Sequence, residues 1–312
     1  MRLALLLALL VVAPAAAHGP EPVRPDALWR TWNLDLIVVG PLLIASWLYG
    51  RGVLRLWRRA GWGRGIHFAH ATAFLAGSFA VVLALVSPLD RLAGTLLSAH
   101  MAQHALLVAV APPLLLLGRP GPALAWGLPG GIAKSFGPAR VFRFLAGALA
   151  RASRPGIAAL LHGLVLWLWH IPFLFDAAIG REWLHILEHA TFFGTALLFW
   201  RSLFLAFERK LAVGGALSAA FATLMHGGFM GALITFAPQP LYTSYQERPL
   251  LWGMSALEDQ QFAGLLMWVP MGFVYLAACL AITATLLTLA SADARGNPYR
   301  SIAKPSPDPS RS

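Results

Sequence analysis

Residues 96–117 read LLSAHMAQHALLVAVAPPLLLL, an apolar run interrupted by two histidines four positions apart. The run is long enough to cross the hydrocarbon core of a bilayer, which is about 30 Å thick. An imidazole is costly to place at membrane depth, so His100 and His104 need a partner there. The segment therefore predicts both a transmembrane helix and a functional site on that helix.

The composition of the whole chain agrees with this segment. Of its 312 residues, 58% are hydrophobic and only 12% are charged, with 12 Trp and 18 Phe. Apolar runs of similar length recur along the sequence, which predicts an all-α, polytopic membrane helix bundle. The seven predicted transmembrane helices are residues 34–49, 67–86, 96–117, 157–170, 184–203, 211–236 and 260–289.

The N-terminal stretch differs from these spans. Arg2 is followed by a short apolar core and then by Ala15-Ala16-Ala17, which is the layout of a cleavable secretory signal peptide. Cleavage after Ala17 would make His18 the first residue, and its amine and imidazole together could bind a copper ion. An uncleaved anchor is the alternative interpretation.

These assignments divide the chain into four parts. Residues 1–17 are the signal peptide, and residues 18–33 are an extracytoplasmic segment. Residues 34–290 form the seven-helix membrane domain. The polar, proline-containing residues 291–312 form a cytoplasmic tail that we expect to be disordered.

The basic residues predict the orientation. The chain carries 24 Lys and Arg against 13 Asp and Glu, for a net charge of +11. Most of the basic residues fall in loops on one side of the predicted spans, which places those loops and the C-terminus inside the cell and the N-terminus outside. The surplus charge therefore needs no nucleic-acid partner. Within one inner loop, residues 139–152 are expected to form an amphipathic helix on the membrane surface.

A second histidine pair, His185 and His189, repeats the spacing of the first. Side chains four residues apart project from one helix face, about 6 Å apart along the axis. Both helices are predicted to enter the membrane from outside, so the pairs converge in depth, and a histidine at the end of the fourth span reaches the same level. The pattern predicts a metal site formed by His100, His104, His170, His185 and His189.

Ligand chemistry narrows the choice of metal. The only cysteine, Cys279, is predicted to lie toward the cytoplasm, which excludes a thiolate site. Imidazole suits copper, zinc, iron or nickel, and thioether favours Cu(I). The methionines after the signal peptide map to the outer half, so copper is preferred, with zinc and haem left open. Accessory residues predicted near the site are Met101, Glu188, His226, Glu258 and Asp259.

The carboxylates among these residues have two interpretations. Glu188, Glu258 and Asp259 could orient the ligating imidazoles through the second ring N–H. Equally, Glu258 and Asp259 begin the seventh span, where acidic residues stabilise a helix N-terminus. His67 and His70 lie at the inner end of the second span, and we expect them to anchor that helix at the interface.

Several short motifs resemble those of one known family. They are Ser87-Pro88-Leu89-Asp90, His100-Met101-Ala102-Gln103-His104, Ala111-Pro112-Pro113, Trp169-His170-Ile171-Pro172 with Asp176, His185 to His189, Phe199-Trp200, Ala256 to Gln261, and Met267 to Pro270. Together they are similar to the multi-span CtaG family of cytochrome c oxidase assembly factors, associated with caa-type oxidases. The resemblance covers residues 35–288.

This resemblance implies a non-enzymatic role in the bacterial plasma membrane. The family is associated with assembly of haem-copper oxidase, with copper supply as its usual interpretation. The implied partners are a haem-copper oxidase subunit, the lipid bilayer and a periplasmic copper chaperone.

Two other functions fit the same residues. A copper or divalent-metal permease would need polar groups that continue through the bilayer, and His162 and His226 could be steps on such a path. A membrane redox protein would hold haem between the histidine pairs. No nucleotide-binding loop, Ser-His-Asp arrangement or nucleophilic cysteine is apparent, so the sequence predicts no enzymatic activity.

Overall fold

The computed structural model describes residues 22–129 and 140–296, and these ranges contain helices and loops with no strand. The all-α prediction is confirmed for them. The predicted signal peptide, residues 1–17, lies outside the described residues. So do His18 and the tail residues 297–312.

The described residues form eleven α-helices. In chain order they are α1 Leu36–Ala60, α2 Phe68–Leu85, α3 Pro88–Ala93, α4 Leu97–Leu117, α5 Pro120–Gly127, α6 Arg140–Ala152, α7 Pro155–Trp169, α8 Pro172–Gly180, α9 Glu182–Arg209, α10 Val213–Phe236 and α11 Ala256–Gly296. Single turns of 3-10 helix, Leu28–Arg30, Thr243–Tyr245 and Arg248–Trp252, lie in the loops.

Six of these helices are long and apolar enough to cross a membrane, namely α1, α2, α4, α9, α10 and α11. The fourth predicted span differs, because α7 and α8 are bent by 75° at a short break. Pro172 disfavours helical geometry at the residue before it, and Ile171 is accordingly extended, with φ −65° and ψ 124°. The number of spans is seven if this bent pair crosses as one, so the count of seven stays a prediction.

Some boundaries differ from the sequence prediction. Helix α1 continues to Ala60, well past the predicted end at residue 49, and Arg55 there donates to the carbonyls of Trp126 and Leu128 at the end of α5. The prediction ended the helix where hydropathy falls. The helix continues because polar side chains such as Arg55 find hydrogen-bond partners there. Helix α11 likewise continues to Gly296, so residues 291–296 are helical and not disordered. The predicted amphipathic helix at 139–152 is present as α6.

Helix α4 contains a π-helical turn, Leu106–Val110. The turn precedes Pro112, which has no N–H to donate to the carbonyl of Val108 four residues earlier. The indole N–H of Trp200 in α9 donates to that carbonyl instead, at 3.0 Å. Thus α4 changes its winding near its middle, and a side chain from α9 satisfies the backbone group released there.

Small residues bring helices close together. A Cβ on Gly231 in α10 would lie 2.9 Å from the carbonyl oxygen of Gly264 in α11, closer than such atoms normally approach. Gly52 in α1 similarly contacts the backbone of Ala123 in α5. Van der Waals packing of this kind is a main source of helix association in lipid.

Candidate metal centre

The first turns of α4 and α9 lie side by side and bring the two histidine pairs together. Ring centroids are 4.3 Å apart for His100 and His104 and 4.1 Å apart for His185 and His189. Between the helices, His100 lies 5.4 Å from His185, and His104 lies 5.3 Å from His189. All four side chains are buried. The convergence in depth expected from the spacing is therefore present in the structure.

Glu188 lies among these rings. Its side chain is 0% exposed, and its carboxylate oxygens are 3.9 Å from Nε2 of His100 and 3.7 Å from Nε2 of His104. Ligand atoms of His100, His185, Glu188 and His189 all lie within 4.8 Å of one another. Such spacing is of the order expected for donors around one ion at about 2 Å. We call these four residues, together with His104, the His/Glu cluster.

Several polar atoms here have no hydrogen-bond partner among the described residues. They are both ring nitrogens of His104, Nε2 of His170 and both carboxylate oxygens of Glu188. Each buried polar group left unsatisfied costs about 1–3 kcal/mol, so a native structure rarely collects them without a reason. A bound cation that accepts their lone pairs is such a reason.

His170 follows the last residue of α7 and lies at the break before α8. Its Nδ1 lies 2.7 Å from the carbonyl oxygen of Leu166. A carbonyl only accepts, so Nδ1 carries the proton and Nε2 is left as a lone-pair donor, which is the tautomer that a metal ligand needs. The ring centroid is 6.0 Å from that of His104. His170 thus borders the His/Glu cluster without belonging to its group of four close donors.

Tyr245, in the loop between α10 and α11, contacts His100. Its hydroxyl donates to the carbonyl of Ala93 at 2.6 Å and lies 3.2 Å from Nδ1 of His100. With its single proton given to Ala93, the hydroxyl oxygen accepts from His100 Nδ1–H, which directs Nε2 toward Glu188. Burial raises the pKa of Tyr245 well above its ordinary value, so the hydroxyl stays protonated.

Asp176 in α8 holds this loop in place. Its carboxylate accepts from the backbone N–H groups of Thr243 and Ser244 at 3.0 and 2.9 Å. The loop also provides Tyr242, whose hydroxyl donates to the carbonyl of His170 at 3.2 Å. Neither tyrosine could be predicted from the sequence, because a loop side chain carries no periodicity that would place it against a helix.

The sequence contains a pattern that could have predicted Glu188 as a ligand and not only as an accessory residue. It follows His185 by three residues, so the two side chains share a helix face. A Glu and a His at this separation recur as metal ligands in helix bundles. The structure accordingly places Glu188 among the candidate ligands, whereas the sequence suggested a supporting role.

The other predicted accessory carboxylates act at helix ends. Glu258 accepts from the backbone N–H and the hydroxyl of Ser255, at the start of α11. Asp259 accepts from the backbone N–H groups of Leu97 and Ser98, at the start of α4. Of their two interpretations, the capping role is the one that the structure supports. By fixing the first turn of α4, Asp259 also positions the first histidine pair.

The remaining predicted residues lie elsewhere. Met101 is fully buried in the hydrophobic core. A Cβ on Gly163 would lie 3.2 Å from Nε2 of His226, so His226 lies beside α7 near the level of His162, about 12 Å along the helix from His170. Neither His162 nor His226 is in the His/Glu cluster. His67 and His70 cap the opposite end of α2.

A hydrogen-bonded group of three polar side chains includes Gln103, which precedes His104 on α4. Gln103 in α4 donates to the carboxylate of Asp90 at 3.0 Å, and Asn33, before α1, donates to its other oxygen at 3.0 Å. Burial raises the pKa of Asp90 to about 6. The group links α3 and the segment before α1 to the helix that carries His100 and His104.

The fold and site together define a polytopic helical membrane protein with a buried His/Glu cluster at one end of its bundle. The family described as cytochrome c oxidase caa3 assembly factor (Caa3_CtaG) matches residues 47–288. The chain belongs to this family, and the resemblance seen in its motifs is confirmed.

Curated relatives add little about function. An uncharacterized protein of Mycobacterium bovis is 26% identical over 263 residues, and one of Mycobacterium leprae is 25% identical over 258 residues. Each match covers 80% of this chain and 38% of the relative, so the chain spans well under half the length of these proteins. No solved structure matches the chain.

Proposed function

We propose that this protein is a cytochrome c oxidase assembly factor that binds copper at the His/Glu cluster and supplies it to a subunit of a haem-copper oxidase. The observation that carries the proposal is the meeting of His100, His185, Glu188 and His189, with ligand atoms within 4.8 Å of one another. Membership of the family supports oxidase assembly as the process in which the bound ion would be used.

The donor atoms favour copper among the candidate ions. Imidazole nitrogens with one carboxylate form a borderline donor set, which suits Cu(II), Zn(II) and Fe(II) better than Mg(II) or Ca(II). For such a set the affinity of divalent first-row metals peaks at copper. Neighbouring His104 and His170 offer further nitrogens, so ligands can be exchanged one at a time, as transfer to a partner requires.

The proposed place of action is the outer face of the bacterial plasma membrane. Basic residues crowd the loops at the opposite end of the bundle, such as Arg58 and Arg59 at the end of α1. By the positive-inside rule these loops face the cytoplasm, which puts the His/Glu cluster outside. A periplasmic copper chaperone is therefore a suitable donor of the ion.

Metal permeation has weaker support. His162 and His226 do lie together deeper in the bundle, and Nδ1 of His162 is 3.1 Å from the hydroxyl of Thr195. However, Phe192 and Phe199 are fully buried in this part of the core, and the ring of Phe192 packs 4.7 Å from that of His104. Uptake of copper into sealed vesicles would favour permeation over assembly.

A haem group fits the site less well than an ion. The imidazoles pack against one another, with ring centroids only 4.1 to 4.3 Å apart within each pair. This leaves no slot for a porphyrin between the helices. A Soret band in the purified protein would contradict this interpretation.

Copper content of purified variants tests the proposal directly. Replacing His100, His104, His185 and His189 by Ala should abolish bound copper, measured by elemental analysis after loading with Cu(I) or Cu(II). Cells carrying this variant should lose oxidase activity in their membranes. Glu188→Gln should lower the affinity while keeping the fold, since the amide occupies the same volume.

The matched control is His162→Ala, which removes a buried histidine outside the His/Glu cluster. It should keep the copper content of the wild type. Equal copper in the four-histidine variant and the wild type would overturn the proposal, and so would binding of zinc alone.

A further inference from the structure

One cavity reaches the His/Glu cluster from the side. It has a volume of about 160 Å³ and lies between α1, α2 and α9, with α4 at its back. Its lining includes His185 and His189, so two candidate ligands form part of its wall. The lining residues of α1 and α2 that face them across the gap include Val38 and Val81, which are only half-buried.

Aromatic side chains of the described residues cover several other sides of the His/Glu cluster. Phe175 of α8 is 0% exposed, with its ring 5.1 Å from that of His100. Tyr245 covers the other side of His100 and is 2% exposed. Phe192, also 0% exposed, lies deeper along α9 against His104. An ion could not pass these rings without displacing packed core residues.

The two ends of the cavity differ in chemistry. Toward the end that holds the His/Glu cluster its wall includes Asn33 and Asp90, which are hydrogen-bonded to each other at 3.0 Å. Deeper in the bundle its wall is apolar, with Phe74, Leu115 and Leu197. An ion avoids an apolar wall, whereas a carboxylate at an entrance attracts cations.

We infer that the ion enters and leaves the His/Glu cluster through the polar end of this cavity, passing Asn33 and Asp90 before it reaches His185. This inference rests on the proposed function, since it concerns how the same site is filled. It assigns the first residues of α1 a role in access, although α1 supplies no residue to the His/Glu cluster.

Blocking the cavity with a large side chain provides one test. Val38 lines the cavity and its neighbour Val39 does not, so Val38→Trp and Val39→Trp form a matched pair. Copper loading of the purified protein, and its release to a chelator, are followed by stopped-flow spectroscopy. Val38→Trp should slow both rates about tenfold or more, equivalent to at least about 1.4 kcal/mol in the barrier.

The amount of copper bound at equilibrium should stay unchanged in both variants, because neither alters a ligand. Val39→Trp should load at the rate of the wild type. Equal rates for the two tryptophan variants would overturn the inference. Absence of copper from the wild type would instead overturn the proposed function.

Cysteine labelling gives a second test, whose first readout needs neither copper nor a bulky substitution. In a Cys279→Ala background, Val38→Cys and Val39→Cys are treated with a water-soluble, positively charged thiosulfonate. Val38→Cys should be labelled, and the labelled protein should then load copper slowly, whereas Val39→Cys should react little. A Val38→Cys variant that resists the reagent would contradict a water-accessible entrance.

Discussion

At the scale of single residues, the site depends on which ring nitrogen carries a proton. His170 donates from Nδ1 to the carbonyl of Leu166, and His100 donates from Nδ1 to Tyr245. Each contact leaves Nε2 as the nitrogen that can coordinate. Groups that bond to the far nitrogen of a ligating histidine commonly contribute 10- to 100-fold to metal affinity.

The hydroxyl of Tyr245 provides a prediction at this scale. Tyr245→Phe keeps the ring but removes the acceptor for His100 Nδ1–H, so the tautomer of His100 is no longer fixed. We expect copper affinity to fall by about 10- to 100-fold, measured by competition with a chelator of known affinity.

Tyr242→Phe is the control for this change. The hydroxyl of Tyr242 donates to a backbone carbonyl, that of His170, so its removal should affect stability more than affinity. A Tyr245→Phe variant with the affinity of the wild type would show that the hydrogen bond to His100 is without consequence for binding.

At the scale of helices, the close contact of α10 with α11 depends on glycine. In Gly231→Val the new side chain would meet the backbone of Gly264 and the Cβ of Trp268, both 2.9 Å from the position of the new Cβ. Overpacking of this kind costs about 1–3 kcal/mol. The melting temperature in detergent should therefore fall.

Gly227→Val lies on the same helix and meets nothing within 4 Å. It should melt close to the wild type, so the pair separates steric conflict from the change in helix propensity, which is the same in both. A common melting temperature for the two variants would contradict tight packing at Gly231.

The helices also show how far the sequence could predict the structure. The spacing of His100 with His104 and of His185 with His189 predicted that each pair shares one helix face, because helical periodicity is a local property, and the predicted topology put both pairs at one depth. The break after His170 was harder to foresee, since Pro172 ends a helix but does not say where the chain goes next. The contact of Tyr245 with His100 joins residues far apart in sequence, and no local pattern encodes it.

At the scale of the whole molecule, orientation in the membrane decides whether the His/Glu cluster faces the cell exterior. We predict that Arg181, in the turn between α8 and α9, lies outside, and that the end of α11 lies inside. Green fluorescent protein fused after Gly296 should fluoresce, and alkaline phosphatase at the same place should be inactive.

The same reporters inserted after Arg181 should give the opposite result, with an active phosphatase and a dark fluorescent protein. With the N-terminus outside, fluorescence after Arg181 together with an active phosphatase after Gly296 would mean that the bent pair α7–α8 does not cross the membrane, because the three spans α9, α10 and α11 separate the two positions. The predicted count of seven spans would then be wrong.

Buried apolar side chains of the described residues fall into two separate clusters. One is formed by α1, α2 and α5, around Tyr49 and Phe74, and the other by α4 and α7 to α11. The first half of α4 packs mainly on α11, whereas its second half, beyond the π-helical turn, packs mainly on α2. Helix α4 therefore contacts both clusters, with the change of winding between the two contacts.

The side cavity runs along the boundary between these two groups of helices. A small rigid-body separation there would widen the way to His185 and His189 without exposing either hydrophobic cluster. In a bilayer, membrane thickness and lateral pressure would act on such a boundary through the long apolar helices that form it. Under the proposed function, we expect the composition of the surrounding bilayer to change the rate at which the histidines exchange their ion.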